Sequence, residues 1–541
     1  MDRVSAAGIL RGGPLLPLFL LLFLGAVFGP LCALVFITAQ YIPGNLPDVI
    51  ALLVPAGRRL GLLLSSVALA AAVAGAGTVI GLLAGSLLWD LREGVWSRAR
   101  WLVVVLAPVP AFLYAQAWMA VCALLATAGS VAAWVPAGWV LSFWVQLGAV
   151  LPIAVGLCML AMASVDIPSI EAARVVAPDI TVFRRIVVPI AAPALGACAG
   201  LLFLLSITDY SVPTLFSVNV YALEIFAEFS ASSEPARALL LAIPLLLVTL
   251  LVIFATQGRI RNLMEGTGVF QRSASPPEYP RWFAALRYGA LGIVVLHAGT
   301  LVASLLVTAV TMNRHLPAVA NASGDIGVSF GIGIAAAVCC LPIAYAAATM
   351  MNRSGRQGGV WWLLCIAPLA VPSPLVGIGL IVLWNSLLPA GIYGTAAMPV
   401  LAALARFAPV AALILLAQLR HIDPLLTDAA RVFQRGVVRT WVQVRLPLLA
   451  PGLVAAACMV FALSAGELGA TLLVIPPGLE TVTIRMYNYL HYGSSGAVAG
   501  LGLVMTVLML AAGGVAVAAM RGWSRLMTGR PSSHGAGGDT G

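Results

Sequence analysis

The feature that most constrains this chain is the recurrence, along its whole length, of apolar runs about 20 residues long, separated by short segments that hold most of its charge. At 1.5 Å per residue each run is long enough to cross a hydrocarbon core of about 30 Å. Only 9% of the residues are charged and 62% are hydrophobic, against roughly 25% charged in a soluble domain. The expected fold is an all-α polytopic membrane protein.

Twelve spans are predicted. Six lie near residues 14–38, 61–87, 102–126, 139–163, 194–216 and 237–256, and six near 288–312, 327–350, 360–386, 397–418, 453–475 and 498–520. The first is longer than the 7–15 apolar residues of a signal-peptide core, so it is read as a span. The longest clearly polar stretch, "TQGRIRNLMEGTGVFQRSASPPEYPRWFAALRYG", separates the two sets. The expected organisation is a six-span half at 1–257, a cytoplasmic linker at 258–287, and a second six-span half at 288–541 that ends in a short cytoplasmic tail.

The net charge of +10 comes from arginines in the segments between spans. Such arginines set topology, and no nucleic-acid partner is needed to explain them. With the N-terminus placed in the cytoplasm, 23 arginines fall inside and five (Arg58, Arg59, Arg237, Arg314 and Arg485) fall outside, with Arg406 within a span. Both termini are therefore expected in the cytoplasm. All 29 basic residues are arginine. Without lysine there is no Walker A phosphate-binding loop and no Schiff-base nucleophile, so any ATP hydrolysis must belong to another subunit. The eight cysteines lie in or beside apolar runs with no CxxC spacing, and read as small packing hydrophobes.

One polar segment is written twice: "EAARVVAPDITVFRRIVVP" from Glu171 to Pro189 and "DAARVFQRGVVRTWVQVRLP" from Asp428 to Pro447. Offsets of 257 or 258 residues also align Pro152 with Pro409, Asp166 with Asp423, Phe203 with Phe461, Ser206 with Ser464 and Asp209 with Glu467. A duplicated six-span unit with parallel repeats explains this register. Each copy opens with helix-start residues, Asp166 with Pro168 and Asp423 with Pro424. An acid early in the helix then suits the helix dipole. The expectation is two short helices joined by a turn, the second closed by Pro189 or Pro447, forming a rigid lever on the inner face.

This doubled segment resembles the EAA loop of binding-protein-dependent ABC importer permeases, whose consensus is E-A-A, a Gly four residues after the second Ala, then I-x-L-P. The matching positions are Glu171, Ala172, Ala173, Arg174, Ala177 and Pro189 in the first copy. In the second they are Asp428, Ala429, Ala430, Arg431, Gly436, Val444, Leu446 and Pro447. The departures are Asp428 for Glu, Ala177 and Gln434 at the consensus Gly (with Gly436 nearby), and one residue fewer before Pro189. The whole chain is similar to the fused twelve-span permeases of the iron(III) type, a type I importer arrangement. The resemblance implies a bacterial inner-membrane location and coupling loops that dock on two copies of an ABC ATPase subunit. ATP–Mg would be bound by those subunits and no cofactor by this chain. It also implies a periplasmic or lipid-anchored solute-binding protein and iron(III) as solute, with thiamine, polyamine, phosphonate or another small solute left open.

Three charges fall in apolar surroundings: Asp209 in "SITDYSVP", Glu467 in "LSAGELGA" and Arg406 in "ALARFAPV". A charge at a helix centre costs about 2.5–3.5 kcal/mol on an insertion scale, so such residues face a partner or a cavity. Two readings stand: an Arg406–Glu467 pair, or acids at the outer mouth of a translocation path. His297 and His491 read as packing or loop residues. A twelve-span secondary transporter is the competing class, but "GSLLWDLREGVWSRAR" lacks the spacing and paired basic residues of the major facilitator loop. HExxH is absent, and the one GxSxG match, "GVSFG" at residues 327–331, opens a predicted span rather than a strand-to-helix turn, so neither motif supports an enzyme.

Overall fold

A computed structural model describes residues 15–91, 95–127, 138–163, 165–265, 276–388, 391–422, 425–426, 437–491 and 495–527. Among these residues the regular structure is helical, with no strand. In hydrocarbon each backbone polar group has to be satisfied inside its own segment, which a helix does.

The first set of helices comprises α1 (Leu16–Tyr41), α2 (Arg58–Asp90), α3 (Val95–Leu106), α4 (Ala111–Thr127), α5 (Gly138–Ala163), α6 (Ile167–Arg174), α7 (Asp179–Ile207) and α8 (Pro235–Glu265). The second comprises α9 (Arg281–Val310), α10 (Ser323–Met351), α11 (Gly355–Ile366), α12 (Ser373–Val382), α13 (Ala397–Arg420), α14 (Trp441–Ala465) and α15 (Ser495–Met527). Among the described residues ten helices are long and apolar enough to cross a membrane, and an eleventh span is a pair bent by 101° where α11 meets α12.

Two predicted spans are not single helices. The run at 102–126 divides into α3 and α4 at "APVP", residues 107–110, and the run at 360–386 divides into α11 and α12 at "APLAVP", residues 367–372. Proline removes the ladder N–H and crowds the preceding turn. Two prolines within five residues end a helix that hydropathy alone would continue. The predicted spans at 194–216 and 453–475 are also shifted: α7 begins at Asp179 and ends at Ile207, and α14 ends at Ala465.

Each set has a three-helix core. α2, α5 and α7 pack together in the first, and α10, α13 and α14 in the second. Small residues let these helices approach, as lipid supplies no hydrophobic drive between them. At Gly81 of α2 a Cβ would stand 2.9 Å from the backbone of Ala154 in α5.

The leading helices change places. α1 packs on α10, α12 and α13 of the second set, and α9 packs on α2, α4 and α5 of the first. The trailing helices stay mainly with their own sets, α8 on α7 and α15 on α14, and add smaller contacts across, α8 with α11 and α12, and α15 with α3 and α4. The crossing of α1 is tight: a Cβ on Gly379 of α12 would fall 2.4 Å from the carbonyl oxygen of Pro30. On α9, Arg287 pairs with Asp90 and donates to Ser86 Oγ at 3.1 Å. The buried His297 ring lies 4.5 Å from the Trp144 ring, and Trp118 Nε1 donates to its Nδ1 at 3.1 Å. The packing role expected for His297 is the one it has.

Gly379→Leu is expected to destabilise the protein by about 1–3 kcal/mol, the usual cost of overpacking. Gly25→Leu, at a position of α1 with open space around the Cβ, should be neutral. Thermal unfolding of the two variants in detergent, compared with wild type, checks this.

Candidate functional site

The first copy of the doubled segment sits at the end of the bundle where α2 finishes. Asp166 caps α6, its carboxylate accepting from Ser169 N at 3.3 Å and from Ser169 Oγ at 2.9 Å, with Pro168 in the first turn. Glu171 and Ala172 lie on the exposed side of α6, and Ala173 and Arg174 are half-buried. Arg174 grips Asp179 with two hydrogen bonds, Nε to Oδ1 at 2.7 Å and Nη2 to Oδ2 at 3.2 Å, and also donates to the Pro276 carbonyl at 3.0 Å. Below this clasp Phe183 packs on Tyr279 and Phe283. Beyond it Val175 and Val176 stand 85% and 83% exposed at the tip, next to Ala177. Two adjacent valines so fully exposed, above a half-buried ion pair, form an apolar contact point on a braced support.

The second short helix predicted here does not exist as a separate element. From Asp179 the chain is helical without interruption to Ile207, and Pro189 lies inside this run. The helix widens to a π turn at Phe183–Val187, closed by Val188 N–H donating to Phe183 O. That wide turn accommodates Pro189, whose ring would clash with a regular turn. The second copy repeats the device: a π turn at Trp441–Arg445, closed by Leu446 N–H to Trp441 O, one residue before Pro447. Asp428, Ala429, Ala430, Arg431 and Gly436 lie outside the described residues, whereas Leu446 and Pro447 open the straight part of α14.

α7 and α14 carry the chain inward to the acids. Asp209 and Glu467 stand just past the ends of these helices rather than within them. Asp209 Oδ1 accepts from Ser211 N at 2.9 Å and Ser211 Oγ at 2.6 Å, and Oδ2 accepts from Gln146 Nε2 of α5 at 3.2 Å. Ser206 completes the chain by donating to Gln146 Oε1 at 2.6 Å. Glu467 is buried, accepts from Ala470 N at 2.8 Å and forms an ion pair with Arg406 of α13. Arg406 is also close enough to Asp209 for that carboxylate's charge to act on it.

These two loops meet at the helix breaks. A Cβ on Gly466 would fall 2.3 Å from Pro110, in the α3–α4 break. One on Gly469 would fall 2.1 Å from Ser373 Oγ, beyond the α11–α12 break, and 3.1 Å from Tyr210. The loop after α14 therefore touches the loop after α7, the α3–α4 break and the first residue past the α11–α12 break. The buried Tyr210 hydroxyl and Ser464 Oγ have no hydrogen-bond partner there. Gln146 was not singled out from sequence. Its signal is its position, since the 257-residue offset that aligns Pro152 with Pro409 puts it one turn from the counterpart of Arg406.

At the opposite end of α2 the other charged face is paired internally. Arg58 bonds Glu224 at 2.7 Å, Arg59 meets Glu228 at 3.4 Å, and Arg237 bridges Glu228 and Asp48 at 2.7 Å each. These bonds fasten the helix Tyr221–Ser232 over the starts of α2 and α8. In the second set Arg485, on the helix Val482–His491, pairs with Asp325 in the first turn of α10. Among the described residues no group of three or more His, Cys, Asp or Glu is placed to hold a metal ion.

The architecture is that of a multi-pass helical membrane protein in which two interlocked sets meet at a polar centre, an arrangement suited to a transport permease. Residues 340–525 match the family described as "Binding-protein-dependent transport system inner membrane component". The chain is also similar to the putative 2-aminoethylphosphonate transport system permease protein PhnV of Salmonella paratyphi A, with 28% identity over 205 residues, 37% of this chain and 76% of the relative. PhnV of Salmonella typhimurium is 27% identical over the same length and shares. Both comparisons describe a transport component of the membrane rather than an enzyme. Neither relative carries the iron(III) name expected from the sequence.

Breaking the Arg406–Glu467 pair from one side leaves a buried charge, which typically costs 3–5 kcal/mol. Arg406→Met and Glu467→Met should each lower thermal stability strongly. The double variant is expected to regain most of the loss, and a double-mutant cycle on detergent-solubilised protein measures the coupling.

Proposed function

We propose that the chain is the permease subunit of a binding-protein-dependent ABC importer, with residues 1–257 and 288–541 as its two halves and 258–287 as the linker. In this reading both termini are cytoplasmic in a bacterial inner membrane, and the Arg174 face is the inner one. Two copies of an ABC ATPase subunit receive the loops around Glu171 and Asp428 and bind ATP–Mg, and a solute-binding protein docks on the face of Arg58, Glu224 and Arg485. The observation that carries the reading is mechanical. One unbroken helix of 29 residues, about 44 Å long, runs from the Arg174–Asp179 clasp to the Asp209 loop. Any displacement of the exposed Val175–Val176 tip by a partner is delivered to the polar centre without a hinge. In the second half α14 repeats the π turn before its proline.

For the solute, we favour a small phosphonate-bearing zwitterion over iron(III). Two observations support it: the relatives are named for 2-aminoethylphosphonate transport, and the centre offers both charge signs, Arg406 beside Asp209 and Glu467. Asp209, Arg406 and Glu467 then form a gate on the solute path, in which a phosphonate competes with Glu467 for Arg406. In proteoliposomes holding the permease, its ATPases and its binding protein, 2-aminoethylphosphonate is expected to stimulate ATP hydrolysis and ferric ion is not. The reverse result would restore iron(III).

Glu171→Arg and Asp428→Arg are each expected to uncouple solute uptake from ATP hydrolysis while insertion stays normal. Uptake at the wild-type rate in the double variant would sink the coupling assignment.

A further inference from the structure

We propose that a groove between the start of α1 and the α10–α11 turn binds an anionic glycerophospholipid of the bilayer. The cavity has a volume of about 670 Å3, within the roughly 300–1,000 Å3 usual for ligand pockets. Its walls are apolar, with Leu16, Leu20 and Leu24 of α1 facing Trp361 of α11, and its rim carries Arg353 and Arg356. The first turn of α11 opens at that rim, and Ser354 makes no side-chain cap there. Amide donors and a helix dipole thus add to the arginines in favouring a phosphodiester.

The position fits a lipid better than a solute. Around the groove Leu18, Leu21 and Val360 are 50%, 67% and 49% exposed, so it opens sideways onto the bilayer and away from the polar centre. It lies at the end of the bundle opposite the Arg58–Glu224 pair, because Gly359 beside it lies against Arg261, near the far end of α8 from Arg237. Basic pockets between spans on the arginine-rich side are where anionic headgroups bind. The chain's own first residues are poorer occupants, as Arg3 and Arg11 would meet two further arginines. Free phosphate would leave the apolar walls without a partner. A lipid seated here touches both α1 and the helices of the second set on which α1 packs, and so clamps the exchanged helix in place.

The test uses the full chain in phosphatidylcholine nanodiscs doped with brominated lipid, reading the tryptophan quenching that disappears in Trp361→Phe. Brominated phosphatidylglycerol is expected to quench Trp361 saturably at a few mole per cent. Brominated phosphatidylcholine should need at least tenfold more. Arg353→Gln/Arg356→Gln is expected to remove that headgroup preference. Equal quenching by both lipids in the wild-type chain, a comparison that needs no arginine variant, would mean ordinary annular contact and overturn the proposal. So would quenching that emerges only after residues 2–14 are deleted, since the groove would then belong to the chain's own N-terminus.

Discussion

α1 and α9 each pack on the helix set to which they do not belong by sequence, and the rest of the structure depends on that exchange. Helices in lipid gain little from burying apolar surface against one another, so contact between sets has to come from close packing and polar pairs. The exchange supplies both. Pro30 meets Gly379 backbone to side-chain position, and Arg287, Ser86 and Asp90 join α9 to α2. Each set is clasped by a helix of the other, and that clasp resists their separation.

Within this frame each half carries a stiff element from one face to the middle. The π turns before Pro189 and Pro447 matter because a proline at those positions would otherwise kink or end the helix. Absorbing the extra backbone in one wide turn keeps α7 continuous and keeps its axis pointed at the Asp209 loop. At the far end stand the places where the bundle is least regular: the loop after α14 meets Pro110 in one break, Ser373 just past the other, and Tyr210 of the loop after α7. Stiffness and irregularity are thus placed in series, with the irregular part where the two sets meet.

Much of this was legible in the sequence, and the failures share one cause. Spans, the repeat register and the Asp166 cap all rest on local chemistry that a single chain displays. The two broken spans were missed because valine and leucine surround Pro108, Pro110, Pro368 and Pro372, so hydropathy stays high across the break; the paired prolines were the available signal. The early start of α7 was hidden by Arg184 and Arg185, which lower hydropathy without interrupting the helix. The exchange of α1 and α9 left no trace, as an apolar helix surface looks alike to either partner. Gln146 was overlooked for a related reason: one amide in an apolar run acquires meaning only when Asp209 and Ser206 are seen beside it.

The polar centre also bears on why the two sets share one chain. The register aligning Pro152 with Pro409 places Arg406 opposite Ala149 and Gln146 opposite Ala403. In a homodimer of one such unit any arginine at this level would be duplicated, giving two cations and two acids around one axis. In this one chain the two sides differ. Asp209 is held by neutral donors, Gln146 and Ser211, while Glu467 is held by a full cation. A hydrogen bond from a neutral amide contributes about 1 kcal/mol net, and a buried ion pair resists one-sided removal by several. The bonds that hold Asp209 are therefore individually weaker than the ion pair that holds Glu467. Such unequal anchors at matching places are open to one chain and closed to a pair of identical subunits.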